Sequence, residues 1–435
     1  MMDLAAENKH LREEIAQLRE RIKELEALLG QDSRNSNWPP SRDKSRKKRR
    51  RTRSQRQKSN KKAGGQPGHK GQTLEMSPNP DYVEHHRPAS CAHCQNIFDP
   101  AQVALHTTRR QVIDIPPIQT EVTEHRRETL CCAQCGQETS GRFPEAVTHR
   151  VQYGANIKQV GVYLKIAQLL PYDRTRQCLA DLFQVNLSPG TLQNVVQKAA
   201  QRLEPVVENI REKIVAAEVG HFDETGFYIG GQRHWLHSSS TTELTFYFPH
   251  RSRGRKATAA AGILARFRGT AVHDNWATYW HYQACQHGLC NAHHLRNLTA
   301  IEEIEQQHWA THFKALLRSA KHLVEAAKEE GLTALPAVKS EQLERLYDKL
   351  VNLALLKNQP PAGGWPTGKR GRPKKTKPRN LAERLQKRRA AVLAFVYDFK
   401  VPFDNNLAER DIRMLKVQQK ISGCFRSPQG AKDFC

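Results

Sequence analysis

The chain has 435 residues, enough for more than one domain and for at least one substantial core. Its formal charge of +25 and pI near 9.8 point to a polyanionic partner, nucleic acid before membrane, because such a surface attracts phosphates and releases their counterions. No run of about eighteen apolar residues occurs, and the start reads as charged heptads rather than a signal peptide. This argues for a cytosolic protein, in which the ten cysteines serve metal chemistry rather than disulfides.

Residues 1–30 carry Leu4, Asn8, Leu11, Ile15, Leu18, Ile22, Leu25 and Leu29 at alternating spacings of four and three. Leu at d with Ile the commonest residue at a predicts a parallel two-stranded coiled coil, with Asn8 setting the register. Across an identical partner, Glu7 meets Arg12, Glu14 meets Arg19 and Arg21 meets Glu26, all opposite in sign. A homodimer is therefore expected; the plainer reading is a lone amphipathic helix docked on its own protein. Residues 31–80 form a basic arm: between 41 and 70 there are fourteen Lys or Arg and one acid, Asp43. Such a segment cannot fold alone and is expected to trail as a disordered DNA-binding arm or as a solvated linker.

In residues 81–145, CAHC (Cys91, Cys94) and CCAQCG (Cys132, Cys135) are two C-x2-C knuckles separated by 37 residues. Four thiolates suit tetrahedral Zn²⁺, and a structural zinc ribbon is expected, with His93 and Cys131 as alternative ligands. The intervening RQVIDIPPIQTEVTEHRRETL reads as strand, Pro-Pro turn, strand. From 150 to 212 the pattern is helical. A helix, a turn at Asn186-Leu187-Ser188, and Pro189 opening a second helix resemble a helix-turn-helix. Thr191, Gln193 and Asn194 would then face DNA, although an ordinary helical hairpin has the same pattern.

Beyond 213 the periodicity changes. EVGHFDETGFYI, QRHWLHSSS and ELTFYFPH are successive strands. KATAAAGILARF is helical, GTAVHD a strand, WATYWHYQ a short helix, and HGLCNAHHLRNLTAIEEI a strand running into a helix. A three-strand meander followed by alternating helix and strand is the order of an α/β, ribonuclease-H-like (retroviral-integrase-like) domain, which sets carboxylates on its first and fourth strands side by side. The candidates are Asp223 and Asp274. Strand alternation puts His221, Asp223 and Thr225 on one face and Phe222 and Glu224 on the other, so Asp223 and Glu224 cannot share a site; periodicity does not choose between them. Asp274 taken alone could equally be a strand-end turn former, whereas an unpaired charge inside an apolar strand is costly.

A helical insertion is expected over about 297–400, broken by a basic loop whose KRGRPKK resembles an AT-hook, with Arg370 and Arg372 for the minor groove; a solvated basic loop is the plainer reading. In VPFDNNLAERDIR, Asp404 or a neighbouring Asn can cap a helix. Ala408, Ile412 and Leu415 make an apolar stripe, opposite Asn405, Glu409, Arg413, Lys416 and Lys420. Glu409 is either one half of an i,i+4 pair with Arg413, a contact of about 0.3–0.5 kcal/mol, or an acid held among bases in order to bind metal.

NSNWPPS, GGQPGHKG, the two knuckles, RQVIDIPP, LSPGT, FDETG, HDNW, CNAHHLR, NNLAERDIR and KISGCFRS together resemble the transposases of the insertion-sequence sixty-six family, in order and over nearly the whole chain. The resemblance implies a zipper, a zinc-binding region and a DDE catalytic domain spanning residues 213–435. It implies Asp223, Asp274 and Glu409 as the catalytic triad, choosing Asp223 over Glu224. Two Mg²⁺ or Mn²⁺ ions held by these carboxylates would serve cleavage and joining of phosphodiester bonds at transposon ends. His293 would orient a phosphate or a base, unless it is a structural histidine, and Arg413 and Lys416 would bind backbone phosphate.

The resemblance also implies DNA partners, the terminal inverted repeats and the target, together with two small accessory proteins of the same element, in the bacterial cytoplasm at the nucleoid. The family pattern continues with further helix beyond FRSPQGAKDFC, so a C-terminally truncated copy is expected. The alternative function is then a catalytically inactive DNA-binding relic that represses the element. A zinc hydrolase built on CNAHHL lacks the His-x3-His pair with an adjacent Glu.

Overall fold

Two turns of one kind hold the cysteine pairs. In the first, the Cys91 N–H donates to Asn96 O (2.8 Å) and Gln95 N–H to Cys91 O (2.9 Å); in the second, Cys132 donates to Gln137 O (2.9 Å) and Gly136 to Cys132 O (2.8 Å). Gln95 and Gly136, at the same place in each turn, both take positive φ (60° and 70°). The second turn tips a hairpin of β1 (Thr129–Cys131) and β2 (Glu138–Ser140). The expected strand, Pro-Pro turn, strand is not formed: apart from Thr129 and Leu130, the described residues of that stretch belong to no regular element, and Val112, Ile113, Ile115 and Val122 are exposed. Alternation without a sheet partner or a core to cover one face does not hold a strand.

The structure, a computed structural model, describes residues 74–116, 118–361, 363–365, 371 and 374–435, with Ile15, Leu18, Arg19, Ile22, Glu26, Asn35 and Gly68. The expected pairing of the zipper, the basic arm from 41 to 67, and Arg370 and Arg372 lie outside the described residues.

Helix α1 (Ala155–Val162) continues through a π turn (Tyr163–Ala167) to α2 (Tyr172–Phe183) and the long α3 (Pro189–Val215). Ser188 caps α3, its Oγ accepting the Thr191 N–H at 3.0 Å, and Pro189 occupies the first turn, where a missing N–H costs nothing. Leu179, Val185 and Leu187 bury the angle between α2 and α3. The helix, turn, helix expected from sequence is present.

Next come β3 (Val219–Ile229), β4 (Gln232–Ser240), β5 (Thr245–His250), α4 (Arg255–Ala261), β6 (Thr270–His273) and β7 (Gln286–Leu289). The five strands form one mixed sheet in the order β5-β4-β3-β6-β7. The first three strands are an antiparallel meander, and β6 and β7 run parallel to β3. A helical block follows: α5 (Asn291–Ile304), α6 (His308–Glu329), α7 (Ala337–Lys357), α8 (Lys377–Lys387), and the short α9 (Arg389–Val392) and α10 (Ala394–Tyr397). It is built on Trp309, Phe313, Tyr347 and Phe395. Finally α11 (Asn406–Ser422) and α12 (Pro428–Phe434) return to the sheet.

Phe222, Phe267 and Tyr279 pack with Ile214 of α3 in one core, whereas Phe227, Ile229 and Leu236 pack with Leu415 and Ala431 in another. Alternation along β3 therefore sends its two sets of side chains into different cores. Among the described residues, no helix is long and apolar enough to cross a membrane.

Candidate active site

Asp223 lies within β3, with its neighbours divided as alternation requires. On its own face, His221 Nδ1 is 2.8 Å from Oδ1 of Asn405, the residue that opens α11. On the opposite face, Glu224 accepts from Arg253 Nε (2.9 Å) and Nη2 (2.6 Å) and from the Tyr279 hydroxyl (2.6 Å). The Arg253 guanidinium lies over the rings of Trp235 (4.9 Å) and Trp276 (4.4 Å). Glu224 is thus spent, its Oε1 on both Arg253 nitrogens and its Oε2 on Tyr279, and the two adjacent acids answer to different surroundings.

Asp274 is the first residue after β6, beside β3, whose pairing runs through His221↔Val272. Its Oδ1 accepts the Trp276 N–H at 2.8 Å, so it forms the turn its position suggested. Glu409 lies in the first turn of α11. It does not pair with Arg413, which is exposed; its cation is Arg296 (3.6 Å), and the His293 ring lies 3.8 Å away. Glu409 Oε1 and His293 Nδ1 are both buried without a hydrogen-bond partner.

Electrostatics joins these acids. Burial pushes Asp223 well above the usual carboxylate range, and the negative charges of Glu224, Asp274 and Glu409 push the same way. Burial also raises Asp274, against the Trp276 N–H and the guanidinium groups of Arg253 and Arg384. Burial raises Glu409 against the pull of Arg296 and Arg413. Crowded carboxylates with too little compensating positive charge favour their protonated forms. Burial, with Arg296 and Arg384 nearby, pushes His293 down to about 3, so its ring is neutral.

Among the described residues, the only set of three His, Cys, Asp or Glu side chains with ligand atoms all within 4.8 Å of one another is Cys290, His293 and Glu409. The oxygens of Asp223, Asp274 and Glu409 are not drawn that close, nor are three of the thiols of Cys91, Cys94, Cys132 and Cys135. Within each knuckle the pair is close: backbone N–H groups, Cys94 and His93 for the first and Cys135 and Gln134 for the second, lower the thiols of Cys91 and Cys132.

Lys416 donates to the Gly226 carbonyl of β3 and is half-buried, so its charge faces the sheet rather than an open surface. Thr191 is partly buried, its hydroxyl 2.9 Å from Ser188 Oγ within the α3 cap, whereas Gln193 and Asn194 are exposed. Sequence reasoning missed Arg253, Arg296, Arg384, Asn405 and Asp411. Asp411 accepts from Ser240 (2.7 Å) and Thr245 (2.8 Å) and fixes α11 to β4 and β5. Arg296, Asn405 and Asp411 carried a local signal, as parts of CNAHHLR and NNLAERDIR.

Compared with known families, residues 88–136 match the zinc-finger binding domain of transposase IS66, and residues 2–75 match a family of unknown function. No curated protein matches the chain. Residues 150–433, which hold the whole sheet and every acid described above, match the Transposase IS66 family. The matched zinc-finger domain supports Zn²⁺ as a cofactor and DNA as a partner, and the chain, with a transposase role, belongs to the Transposase IS66 family.

Proposed function

We propose that this transposase cuts and joins phosphodiester bonds at transposon ends with Asp223, Asp274 and Glu409 as its metal-binding carboxylates, on a ribonuclease-H-like sheet. One observation carries this reading. Three acids from β3, the end of β6 and α11, far apart in the chain, are each partly buried, and after burial and the charge of Glu224 the charges of Asp274 and Glu409 raise the proton affinity of Asp223. The strand order β5-β4-β3-β6-β7, an antiparallel meander joined to parallel strands, supports the fold assignment.

The donor set suits Mg²⁺: the carboxylate oxygens are hard ligands, and Glu409 Oε1 is buried without accepting a hydrogen bond. A pair of such ions would be held without all three carboxylates touching one another. When bound, they would supply an activated water or 3′-hydroxyl and stabilise the leaving oxygen. The chain's own residues do the rest. Arg253 and Arg384 carry positive charge towards Asp274, and Arg296 and the exposed Arg413 flank Glu409, where a phosphodiester backbone would lie. Neutral His293 can accept a hydrogen bond from substrate.

At the other end of the chain, Zn²⁺ would draw the two cysteine turns into one four-thiolate site, and residues 1–30 would pair two copies. Terminal inverted repeats and two small accessory proteins complete the proposed assembly, in the cytoplasm at the nucleoid.

The test is strand transfer on DNA ends from sequence flanking the gene, with Mg²⁺ and then Ca²⁺. Asp223→Ala, Asp274→Ala and Glu409→Gln should each abolish Mg²⁺-dependent cleavage while the chain still folds and binds DNA. Metal-independent binding with no cleavage by the unaltered chain would instead favour the repressor reading.

A further inference from the structure

The starts of α5 and α11 meet beside the carboxylates. Cys290 opens α5, and His293 lies one turn on, its N–H donating to Cys290 O at 3.2 Å, a spacing that puts both side chains on one side of the helix. Glu409 comes from the first turn of α11. Two contacts lock the helix starts together: the Asn405 N–H donates to Cys290 Sγ at 3.2 Å, and the Asn291 N–H to Phe403 O at 3.0 Å. The result is a thiol, an imidazole and a carboxylate with ligand atoms all within 4.8 Å of one another. His293 Nδ1 and Glu409 Oε1 are buried there without hydrogen bonds, a costly arrangement unless something binds them.

We infer that Cys290, His293 and Glu409 form a second metal site, one that takes a borderline-soft divalent cation such as Zn²⁺. A sulfur and an imidazole are poor ligands for Mg²⁺ but suit zinc, whose bonds of about 2.0–2.3 Å need only a modest closing of the three atoms. A thiolate and a carboxylate balance the dication's charge. Arg296, 3.6 Å from Glu409, opposes the ion but can swing towards substrate phosphate. The N–H of Asn405 on Cys290 Sγ is the kind of outer contact that orients a metal-bound thiolate.

With one oxygen on this ion, Glu409 has only its other oxygen left for the magnesium pair. Zinc is therefore expected to inhibit; only this consequence rests on the proposed catalytic reading.

Co²⁺ is the probe, added to the full chain holding one equivalent of Zn²⁺, which the four thiolates of the knuckles take ahead of a site with a single thiolate. We expect a thiolate-to-cobalt charge-transfer band that is absent in Cys290→Ser. In His293→Gln the cobalt affinity should fall roughly a hundredfold. Circular dichroism confirms that each variant is folded, and either variant alone suffices should the other not fold. No band, or a band unchanged in Cys290→Ser, overturns the site. In the cleavage assay, Zn²⁺ should inhibit the unaltered chain, and Cys290→Ser should keep Mg²⁺-dependent cleavage while resisting zinc. A band without cleavage leaves the zinc site standing and removes the catalytic reading; cleavage without a band does the reverse.

Discussion

Asn405 and His221, 184 positions apart in the chain, are joined by a buried contact of 2.8 Å between Asn405 Oδ1 and His221 Nδ1. Asn405 Nδ2 also donates to the Phe222 carbonyl at 2.9 Å. The residue that opens the Glu409 helix is thereby tied to the strand that carries Asp223, on both sides of Phe222. Asn405 is the N-cap by position, yet its side chain makes no cap bond; it serves the strand instead.

Replacing Asn405 with Ala should therefore act on geometry more than on stability. Unmaking these buried bonds costs about 1–3 kcal/mol, whereas a shift of about 1 Å in Glu409 costs on the order of a hundredfold in rate. Thermal melts and strand cleavage measured side by side check this. Equal cleavage by Asn405→Ala and the unaltered chain would show that α11 is held by other contacts.

Asp223→Asn should stabilise the metal-free protein while abolishing cleavage. A carboxyl raised above its unfolded value favours folding at low pH, and that contribution is lost as pH rises through the raised value. The gain from Asn, of order 1 kcal/mol, should thus be larger at pH 8 than at pH 5. Mg²⁺ should raise the melting temperature of the unaltered chain and leave Asp223→Asn unmoved. Identical pH profiles for the two would sink the idea.

Buried neutral histidines should make the fold acid-sensitive. Burial pushes His273 and His294 down to about 3, and both ring nitrogens of His294 lack hydrogen bonds. An unfolded histidine titrates near 6.5, so as pH falls below that the unfolded chain takes protons that the folded chain refuses. Stability should drop by about 2 kcal/mol per ring between pH 7 and pH 5. Urea midpoints at these two pH values should fall less in His294→Leu than in the unaltered chain; equal falls would rule His294 out.

Gly269, just before β6, admits no side chain. A Cβ there would meet Glu218 O at 2.3 Å and Ala217 O at 2.4 Å, both rigid backbone, where Thr270 N–H already bonds Glu218 O. Gly269→Ala should cost about 3 kcal/mol or more by pushing β6 from β3, and with it Asp274 from Asp223. Denaturant unfolding and metal-dependent cleavage should both register the loss; a neutral substitution would mean that the β3-β6 junction yields.

What the sequence determined by itself was local: the order of strands and helices from 155 onward, the turn at Ser188 with Pro189 opening the next helix, the apolar stripe of Ala408, Ile412 and Leu415, and the division of Asp223 from Glu224. Each follows from a period of 2 or 3.6 or from a turn within a few residues, and each is present in the fold. The stretch between the knuckles had the period but no partner strand, and it formed no regular element there. Only the tertiary structure decided which charges meet. Glu224 with Arg253, Glu409 with Arg296, Lys416 with the Gly226 carbonyl and Asn405 with His221 join different elements. Such partners are chosen by the packing of α11 and the helical block onto one sheet, and a periodic pattern records which face a residue occupies but not what lies across from it.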